Sequence, residues 1–362
     1  MSSSFGLCLR ITVFGQSHGP CVGMVLDGFP AGMKLDLARL EANMKRRRPG
    51  RDGTTTARQE ADEPVFLSGI FQGKTSGQPV CVIIGSNGQR PEDYGEAMDV
   101  LRPGHADYTG HIRYHGFEDY RGGGSFSGRL TAPLVVAGSM CDQYLESKGI
   151  QIEAHIASVG TVRDTAFEEI PEEEDLSFLK DMELPLVRRE LVPQVRSVIE
   201  QAAEEGDSVG GIGEVRIKGL PPGLGSPFFD SAESLFSHML FSIPGVKGVS
   251  FGSGFELSGM RGSEANDPWK LEKEKIRTAT NHAGGINGGI TNGMPLIFQC
   301  AFRPTPSISR KQNSVSMRTM SETELILQGR HDPCILSRAI PVLESAAAFC
   351  TLDLLLERKT CL

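Results

Sequence analysis

The chain has 362 residues and a net charge of −8, which permits one large domain or two and argues against general nucleic-acid binding. Its eight cysteines are scattered without a CxxC pair, which argues against a zinc site and a disulfide framework. No signal peptide or long apolar run is apparent near either end, so we expect a cytoplasmic protein that does not contact a membrane. The 43 glycines indicate many tight turns, as found in a loop-rich protein or where a chain wraps a bulky ligand.

The N-terminal part predicts a strand pair followed by a helix. Apolar and polar residues alternate in Leu9–Phe14, a Gly-Gln-Ser-His-Gly turn follows, and a second strand covers Cys21–Leu26. Asp36 can cap a helix that has one apolar face and runs into Arg46–Arg48 before a Pro-Gly pair ends it. Two further strands are predicted at Val65–Phe71 and Val80–Ile84.

Residues 87–128 show almost no periodicity and are rich in glycine, histidine, arginine and tyrosine. A loop of this length is usually functional or disordered, and its aromatic residues favour a functional role. His111 and His115 have a spacing that suits a metal ion on a helix, but the neighbouring glycines argue against a helix, so we reject a zinc site. A long amphipathic helix is predicted to begin near Thr131, with Pro133 in its first turn.

The second half of the chain alternates irregularly between strands and helices. An acidic insert at about residues 164–190 is typical of solvated surface, and the last helix, about Ile340 to Leu356, is apolar on most faces and should be buried. Because the regular alternation of a doubly wound sheet is missing, we predict an α+β fold with a single domain over residues 1–362. The remaining elements are predicted as strands at Ile150–Val159, Val209–Ile217, Val246–Phe251 and Pro295–Phe302 and as helices at Pro193–Glu204 and Ser231–Phe241.

Basic residues crowd at the end of the first predicted helix. Arg46, Arg47, Arg48 and Arg51 lie there, and Arg58 follows shortly after. Arginine makes planar, bidentate contacts with phosphate and carboxylate groups, so this run could bind an anionic ligand. The alternatives are a solvated helix end that complements the helix dipole, and a nucleic-acid site for which no known binding module is visible.

Three histidines lie in compact polar segments beside glycine. They are His18, His105 and His331, and an arginine lies close to the last two. Histidine transfers protons near neutral pH, and an adjacent glycine gives a ligand room to approach the imidazole ring. Three similar segments favour a shared anion site, although a hydrogen-bonded structural role remains the alternative for each histidine.

Two glycine-rich segments could also contact a ligand. Residues 122–124 precede a helix, where backbone N–H groups could bind phosphate, and residues 284–289 lead into a strand. Neither segment has the Rossmann or P-loop spacing, which argues against nicotinamide dinucleotides and ATP. A flexible linker is the alternative for each segment.

Seven short motifs resemble those of the chorismate synthase family in order and spacing. Together they cover the chain from Phe5 to the last helix. They are Phe14-Gly15-Gln16-Ser17-His18-Gly19, Arg46-Arg47-Arg48-Pro49-Gly50, Arg102-Pro103-Gly104-His105-Ala106-Asp107, Asn281-His282-Ala283-Gly284-Gly285-Ile286, Gly288-Gly289-Ile290, Arg303-Pro304-Thr305-Pro306-Ser307-Ile308 and Gly329-Arg330-His331-Asp332-Pro333-Cys334.

The resemblance implies a fold, a reaction and a cofactor. The family fold is a β-α-β sandwich with helices between two antiparallel sheets, usually in a homotetramer. The implied reaction is the anti-1,4-elimination of phosphate from 5-enolpyruvylshikimate 3-phosphate to give chorismate, in the shikimate pathway of aromatic amino-acid biosynthesis. It requires reduced FMN without net redox change, and we expect an external flavin reductant because no reductase domain is visible. An ordinary flavin oxidoreductase, which would release no phosphate, is the other enzyme alternative.

The resemblance also assigns candidate site residues. His105 is expected to protonate or steady the leaving phosphate, His18 to contact the reduced flavin, and Asp332 to assist in removal of the ring proton. The substrate-binding positions are Arg47, with Arg46, Arg48 and Arg51 in assisting roles, and Arg129. The flavin-binding positions are Ser125, Phe126, Ser127, Pro244, Gly245, Gly288, Arg303, Pro304, Thr305, Pro306, Ser307 and Arg330, and no metal site is expected.

Overall fold

Two antiparallel sheets of five strands each enclose a layer of helices. The structure is a computed structural model that describes residues 3–48, 62–86, 99–327 and 331–360. The predictions for Arg51, Arg58 and Arg330 therefore lie outside the described residues. The observed architecture is the expected α+β arrangement with helices between two antiparallel sheets.

The helices and strands are numbered here in chain order. The helices are α1 Leu37–Arg47, α2 Asp107–Tyr114, α3 Thr131–Glu146, α4 Val192–Glu204, α5 Ala232–Phe241, α6 Gly262–Ala265 and α7 Leu336–Thr360. The strands are β1 Ser4–Phe5, β2 Arg10–Gly15, β3 Cys21–Asp27, β4 Pro64–Phe66, β5 Ile70–Phe71, β6 Lys74–Thr75, β7 Val80–Gly85, β8 Gln151–Val159, β9 Val162–Arg163, β10 Gly211–Lys218, β11 Val246–Phe251, β12 Trp269–Glu272, β13 Lys275–Thr278, β14 Ile286–Asn287, β15 Ile290–Thr291, β16 Leu296–Phe302, β17 Gln312–Ser316 and β18 Ser321–Leu325.

The first sheet covers one face of the helix layer and has the strand order β1-β2-β3-β7-β4. Its central strand β3 pairs with β2 on one side and β7 on the other. The alternate residues Val22, Met24 and Leu26 of β3 are fully buried, as the period of two in a half-buried strand requires. This sheet places the turn that carries His18 directly after β2.

The second sheet covers the other face and has the strand order β11-β16-β10-β8-β9. Its register pairs Phe302, the last residue of β16, with Gly211 at the start of β10 and Val246 at the start of β11. The segment that follows β16 and the turn that precedes β11 therefore lie at the same end of this sheet. Both segments carry predicted flavin-binding residues.

The helix layer consists mainly of α3 and α7, which pack against each other. α3 also contacts β3 and β7 of the first sheet, whereas α7 contacts β8 and β10 of the second. In the described residues, Leu336–Arg358 of α7 is long and apolar enough to span a membrane, but 83% of its most apolar window is buried in the protein. Burial between helices and sheet accounts for its apolar character, as for the core helix of a globular domain.

A buried ionic cluster fastens the acidic insert to the second sheet. His155 on β8 contacts Glu214 on β10 through Nε2 at 2.9 Å and Asp164 through Nδ1 at 3.2 Å, and we call these three residues the buried ion triad. Burial alone would lower the pKa of His155, but its hydrogen bonds to the two carboxylates outweigh that effect and raise the pKa. Asp164 also accepts hydrogen bonds from the backbone of Val187 and Arg188 within the insert.

Several predictions of local structure are wrong. The segment 87–128 contains the helix α2, and Val65–Phe71 forms two short strands, not one. The acidic insert is not solvated throughout, because Phe167, Leu176 and Leu179 are each 1% exposed and form a small core of their own. The hairpins β12–β13 and β17–β18 were not predicted.

Candidate active site

The arginine run lies at the C-terminal end of α1, and its members have different partners. Arg46 is buried and forms a bidentate ion pair with Glu344 of α7, with Nη1 and Nη2 at 2.5 and 2.9 Å from the two carboxylate oxygens. Burial lowers the pKa of Arg46, but Glu344 more than compensates and the pKa is raised. Arg46 therefore fastens α1 to α7 in this structure, and its expected contact with substrate remains a prediction.

Arg47 and Arg129 meet at a single carboxylate. Arg47 Nη2 and Arg129 Nη1 each lie 2.7 Å from a different oxygen of Asp62. All three side chains are almost completely buried. Arg48 Nη2 also donates to the backbone carbonyl of Asp62 at 3.3 Å. We call Arg47, Asp62 and Arg129 the arginine bridge, and it brings together two of the predicted substrate-binding residues.

Asp332 is joined to this bridge through Arg338 of α7. Arg338 Nη1 donates to Asp332 Oδ2 at 2.5 Å, and Arg338 Nε donates to the backbone carbonyl of Arg47 at 3.0 Å. One arginine thus holds the carboxylate of Asp332 beside the end of α1. The structure places Asp332 and Arg47 in one network although 285 positions separate them in the sequence.

His105 lies against the segment that follows β16. Its Nε2 is 2.7 Å from the Ser307 hydroxyl, and Arg303 Nη1 donates to the carbonyl of Gly104 at 2.9 Å. Gly104 has φ of +72°, and a Cβ atom there would lie 2.4 Å from Arg303 Nη2, so a glycine is required for this contact. Arg102 is paired with Asp107 in the same loop through two side-chain hydrogen bonds of 2.9 and 2.6 Å.

The surroundings of His105 favour the neutral imidazole. Burial is the largest effect, and the nearby cations Arg102 and Arg303 act in the same direction, as does His331. Asp107 opposes them, and the pKa of His105 falls to about 4. Because His331 precedes Asp332, its effect also indicates that His105 lies near the network of Arg47 and Asp332.

His18 packs against the glycine-rich loop after α2. Gly122 has φ of +58°, and a Cβ atom there would lie 2.0 Å from Cε1 of His18, so only glycine leaves room for the imidazole. The backbone N–H of Ser17 donates to the Gly124 carbonyl at 3.0 Å. The same loop continues to Ser127, whose hydroxyl accepts from the backbone N–H of Arg129 at 3.3 Å and caps the turn there. The loop therefore connects His18 to the arginine bridge.

Most of the predicted flavin-binding residues lie around His105. The backbone N–H of Arg303 donates to the carbonyl of Gly245 at 3.0 Å, which places Pro244 and Gly245 beside the segment Arg303–Ser307. Phe126 packs on α2, which begins two residues after His105, and its ring centroid lies 6.2 Å from that of Tyr114.

Two other flavin-binding predictions lie in turns of the chain. Ser125 is exposed and directly precedes Phe126 in the loop after α2, and its role in flavin binding stays a prediction. Gly288 lies in the β14–β15 turn, where the carbonyl of Gly289 accepts a hydrogen bond from the backbone N–H at the start of α5. Pro244 and Gly245 follow the opposite, C-terminal end of that helix. The segment around His105 is thus the better-defined part of the predicted cofactor site.

Comparison with known proteins gives a consistent result. Residues 9–356 match the family model for chorismate synthase. The chain is 43% identical over 359 residues to a chorismate synthase of Dehalococcoides mccartyi, covering 98% of this chain and 97% of the relative. It is 45% identical over 356 residues to a chorismate synthase of Pyrococcus abyssi, covering 98% of each chain. The chain belongs to the chorismate synthase family.

The structural comparison supports the same conclusion. A crystal structure of a chorismate synthase superposes with a TM-score of 0.76 and 27% identity, and the match covers 98% of this chain and 93% of that one. The expected fold is therefore confirmed. As a chorismate synthase family member the protein is a lyase that removes phosphate from a small-molecule substrate. This class argues against the nucleic-acid-binding and oxidoreductase alternatives.

The donor groups around His105 suit the phosphate and polar edge of a flavin, the cofactor associated with chorismate synthases. Arg303 supplies a cation, and Ser307 supplies a hydroxyl. Thr305 Oγ1 is buried and has no hydrogen-bond partner within the part of the chain that the structure describes. A buried hydroxyl without a partner is unfavourable, and a polar ligand would satisfy it. No cluster of three or more metal-binding side chains is found in the described ranges.

Sequence reasoning missed three residues that organise this chorismate synthase site. Asp62 and Arg338 connect predicted site residues, and Glu344 holds Arg46. None of them lies in a motif of unusual composition, and each acts across a separation in sequence that no local pattern reveals. Arg102 was recognised as an arginine close to His105, and the structure adds that it lowers the pKa of this histidine.

Proposed function

We propose that the protein catalyses the anti-1,4-elimination of phosphate from 5-enolpyruvylshikimate 3-phosphate to give chorismate. The observation that carries this proposal is the convergence of the arginine bridge, the Arg338–Asp332 pair and His105, which come from distant parts of the chain. The substrate has two carboxylates and one phosphate. Arginine groups fixed before the substrate arrives can bind such anions without further reorganisation.

The arginine bridge places two guanidinium groups close together in a buried part of the fold. Arg47 and Arg129 each carry a positive charge and share the carboxylate of Asp62. Burial strengthens the interaction of this charge with an incoming anion because water screens it less. We assign Arg47 and Arg129, assisted by Arg48, to bind the anionic groups of the substrate.

His105 and its neighbours are assigned to the leaving phosphate. Arg102 and Arg303 act electrostatically on the imidazole, so the same cations would also act on an anion bound beside it. The charge of the bound substrate phosphate favours uptake of a proton from solvent by His105, which can then donate this proton to a phosphate oxygen as the C–O bond breaks. The Ser307 hydroxyl at Nε2 holds the ring in place for this transfer.

Asp332 and His18 are assigned to the other proton movements of the reaction. Arg338 fixes the Asp332 carboxylate, which we infer to assist the removal of the ring proton. His18 is held against Gly122 and would hydrogen-bond to or protonate the reduced cofactor. When bound, reduced FMN would lend electron density to the substrate as phosphate leaves and recover it afterwards.

We further infer which residues would hold FMN and how the enzyme works in the cell. Arg303–Ser307 and Pro244-Gly245 are the leading candidates, with Ser125–Ser127, Gly288 and Arg330 as further predicted positions. We propose a homotetramer in the cytoplasm that receives its reduced flavin from an external reductant.

An anaerobic assay with dithionite-reduced FMN and 5-enolpyruvylshikimate 3-phosphate tests this function. We expect stoichiometric formation of phosphate and chorismate without net consumption of reduced flavin. Absence of phosphate release would refute the proposal. Net flavin oxidation coupled to an acceptor, again without phosphate, would favour the oxidoreductase alternative.

A further inference from the structure

Asp62 is an acidic residue at the centre of a site that should bind a substrate with three anionic groups. Its side chain is 0% exposed, and its two oxygens each accept a hydrogen bond of 2.7 Å from a different arginine, Arg47 and Arg129. An acidic group in an anion site needs an explanation because it repels the ligand. The contacts of Asp62 supply that explanation.

The geometry of the arginine bridge fixes both guanidinium groups. Each arginine is held by one oxygen of a carboxylate that cannot rotate without breaking the other contact. Arg129 Nη2 also donates to the carbonyl of Gly85 at 3.0 Å, and the backbone carbonyl of Arg47 accepts from Arg338. One Nη atom of each guanidinium group is therefore held in place before a ligand arrives, and the second hydrogen bond of Arg129 also sets the plane of its guanidinium group.

The backbone of Asp62 is also unusual. Its φ of +42° lies in the left-handed region, which aspartate tolerates better than most residues other than glycine. In this conformation its carbonyl accepts a hydrogen bond from Arg48 while its side chain accepts from Arg47 and Arg129. One residue thus contacts three of the predicted substrate-binding arginines.

We propose that Asp62 is a positioning residue of the substrate site, which holds Arg47 and Arg129 in the orientation that binds the anionic groups of 5-enolpyruvylshikimate 3-phosphate. This inference rests on the proposed function. The competing explanation is that Asp62 only neutralises buried charge. The two explanations predict opposite effects: removing a mere countercharge strengthens anion binding, whereas removing a positioning group weakens it.

The decisive variant is Asp62→Asn, which keeps the size of the side chain but loses the charge and one acceptor oxygen. We expect the dissociation constant for the substrate, measured by calorimetry, to rise at least about tenfold. Asp62→Glu keeps the carboxylate but moves it by one methylene group. This variant should bind the substrate with an affinity between those of the wild type and Asp62→Asn. In an Arg129→Gln background, Asp62→Asn should cause a smaller loss than in the wild type, because part of its effect acts through Arg129.

Glu153 provides a matched control. It lies on β8 of the second sheet, at the end away from Gly211 and Phe302. It also joins two cations, with its oxygens 2.7 Å from Arg216 Nη2 and 2.5 Å from Lys218 Nζ. Glu153→Gln should lower the melting temperature and leave substrate affinity unchanged. An equal loss of affinity in Glu153→Gln would show that general destabilisation explains the Asp62 result and would overturn the proposal.

The remaining outcomes are also decisive. Unchanged or tighter binding by a folded Asp62→Asn variant overturns the positioning role. If circular dichroism shows that Asp62→Asn does not fold, Asp62→Glu decides: weaker binding than the wild type supports the role, and equal binding overturns it. Absence of phosphate release by the wild-type protein refutes the proposed function itself, whereas wild-type turnover together with unaltered Asp62 variants refutes only the role of Asp62.

Discussion

The protonation of His105 gives a test of the site that does not depend on turnover. In the free protein, burial, Arg102, Arg303 and His331 lower its pKa to about 4. At pH 7 about one molecule in a thousand would then carry the imidazolium. Only the imidazolium form of histidine can act as a general acid near neutral pH. If His105 protonates the leaving phosphate, substrate binding must therefore raise the fraction of His105 that is protonated.

The size of the required change can be compared with the charge of the ligand. Half-protonation at pH 7 needs an increase in pKa of about 3 units, or about 4 kcal/mol. One negative charge about 4 Å from the imidazolium contributes roughly 4 kcal/mol at an effective dielectric constant of about 20. A phosphate dianion carries more charge than that, so bound substrate suffices. We therefore expect substrate binding to place about one proton on His105.

Calorimetry in buffers of different ionisation enthalpy measures this proton directly. The dependence of the observed enthalpy on the buffer gives the number of protons taken up, and the difference between the wild type and His105→Ala isolates the contribution of His105. We expect a difference approaching about one proton near pH 7. His105→Ala should also lower turnover strongly while circular dichroism remains unchanged. Equal proton uptake by the two proteins would refute the electrostatic reasoning, and near-normal turnover would remove His105 from the mechanism.

Three further perturbations test other parts of the structure. Arg47→Ala should weaken substrate binding in calorimetry by about 2 kcal/mol or more through loss of a charge-assisted contact, and unchanged affinity would exclude Arg47 from the site. Arg338→Gln should lower kcat more than it changes the dissociation constant, because Asp332 loses the hydrogen bond from Arg338; a change in affinity alone would contradict this. His155→Gln should destabilise the protein to urea by about 3 kcal/mol at pH 6, since it breaks the buried ion triad. Folding raises the pKa of His155. Its stabilising contribution is therefore complete at pH values below its pKa in the unfolded chain, and it is lost as the pH rises through its pKa in the folded protein. The difference from the wild type should therefore shrink at pH 9, and a constant difference would contradict the ionic role.

Local patterns in the sequence predicted the main elements of the fold well. Asp36 caps α1, with its carboxylate 3.0 Å from the backbone N–H of Arg39, as the position of an acidic residue before an apolar face indicated. The strands β3 and β16 followed from their runs of apolar residues. In both places the deciding interactions lie within a few residues or repeat with a fixed period.

The helix α2 shows why other predictions were wrong. Glycine disfavours helices in isolation, and Gly110 lies within α2. A Cβ atom at Gly110 would lie 2.7 Å from the ring of Phe126, so the glycine allows this helix to contact the loop after it. The tertiary contact outweighs the local preference. The zinc site was rejected for a reason that the structure contradicts, and His111 instead contacts Glu118 at 3.1 Å.

In the candidate site, too, contacts between distant parts of the chain decide what local sequence patterns cannot predict. The resemblance places Arg47 among the substrate-binding arginines and gives Arg46 an assisting role, but the sequence does not show which partners these adjacent arginines have. The structure separates them by their partners: Arg46 faces Glu344, which lies 298 residues further along the chain, and Arg47 faces Asp62. Which arginine can contribute charge to a ligand is thus decided by acidic residues that no local pattern connects to them.

The pairing of the arginines with carboxylates indicates where an anionic substrate gains the most electrostatic energy on binding. Arg46 has Glu344, Arg102 has Asp107, and Arg338 has Asp332, so each of these cations has a carboxylate within hydrogen-bonding distance. By contrast, the contact from Arg303 Nη1 is to the neutral carbonyl of Gly104. An anion bound beside Arg303 would gain Coulomb energy without displacing an ion pair of that arginine among the described residues, which is the arrangement expected if the fold pairs its structural arginines and keeps the positive charge of Arg303 for a ligand.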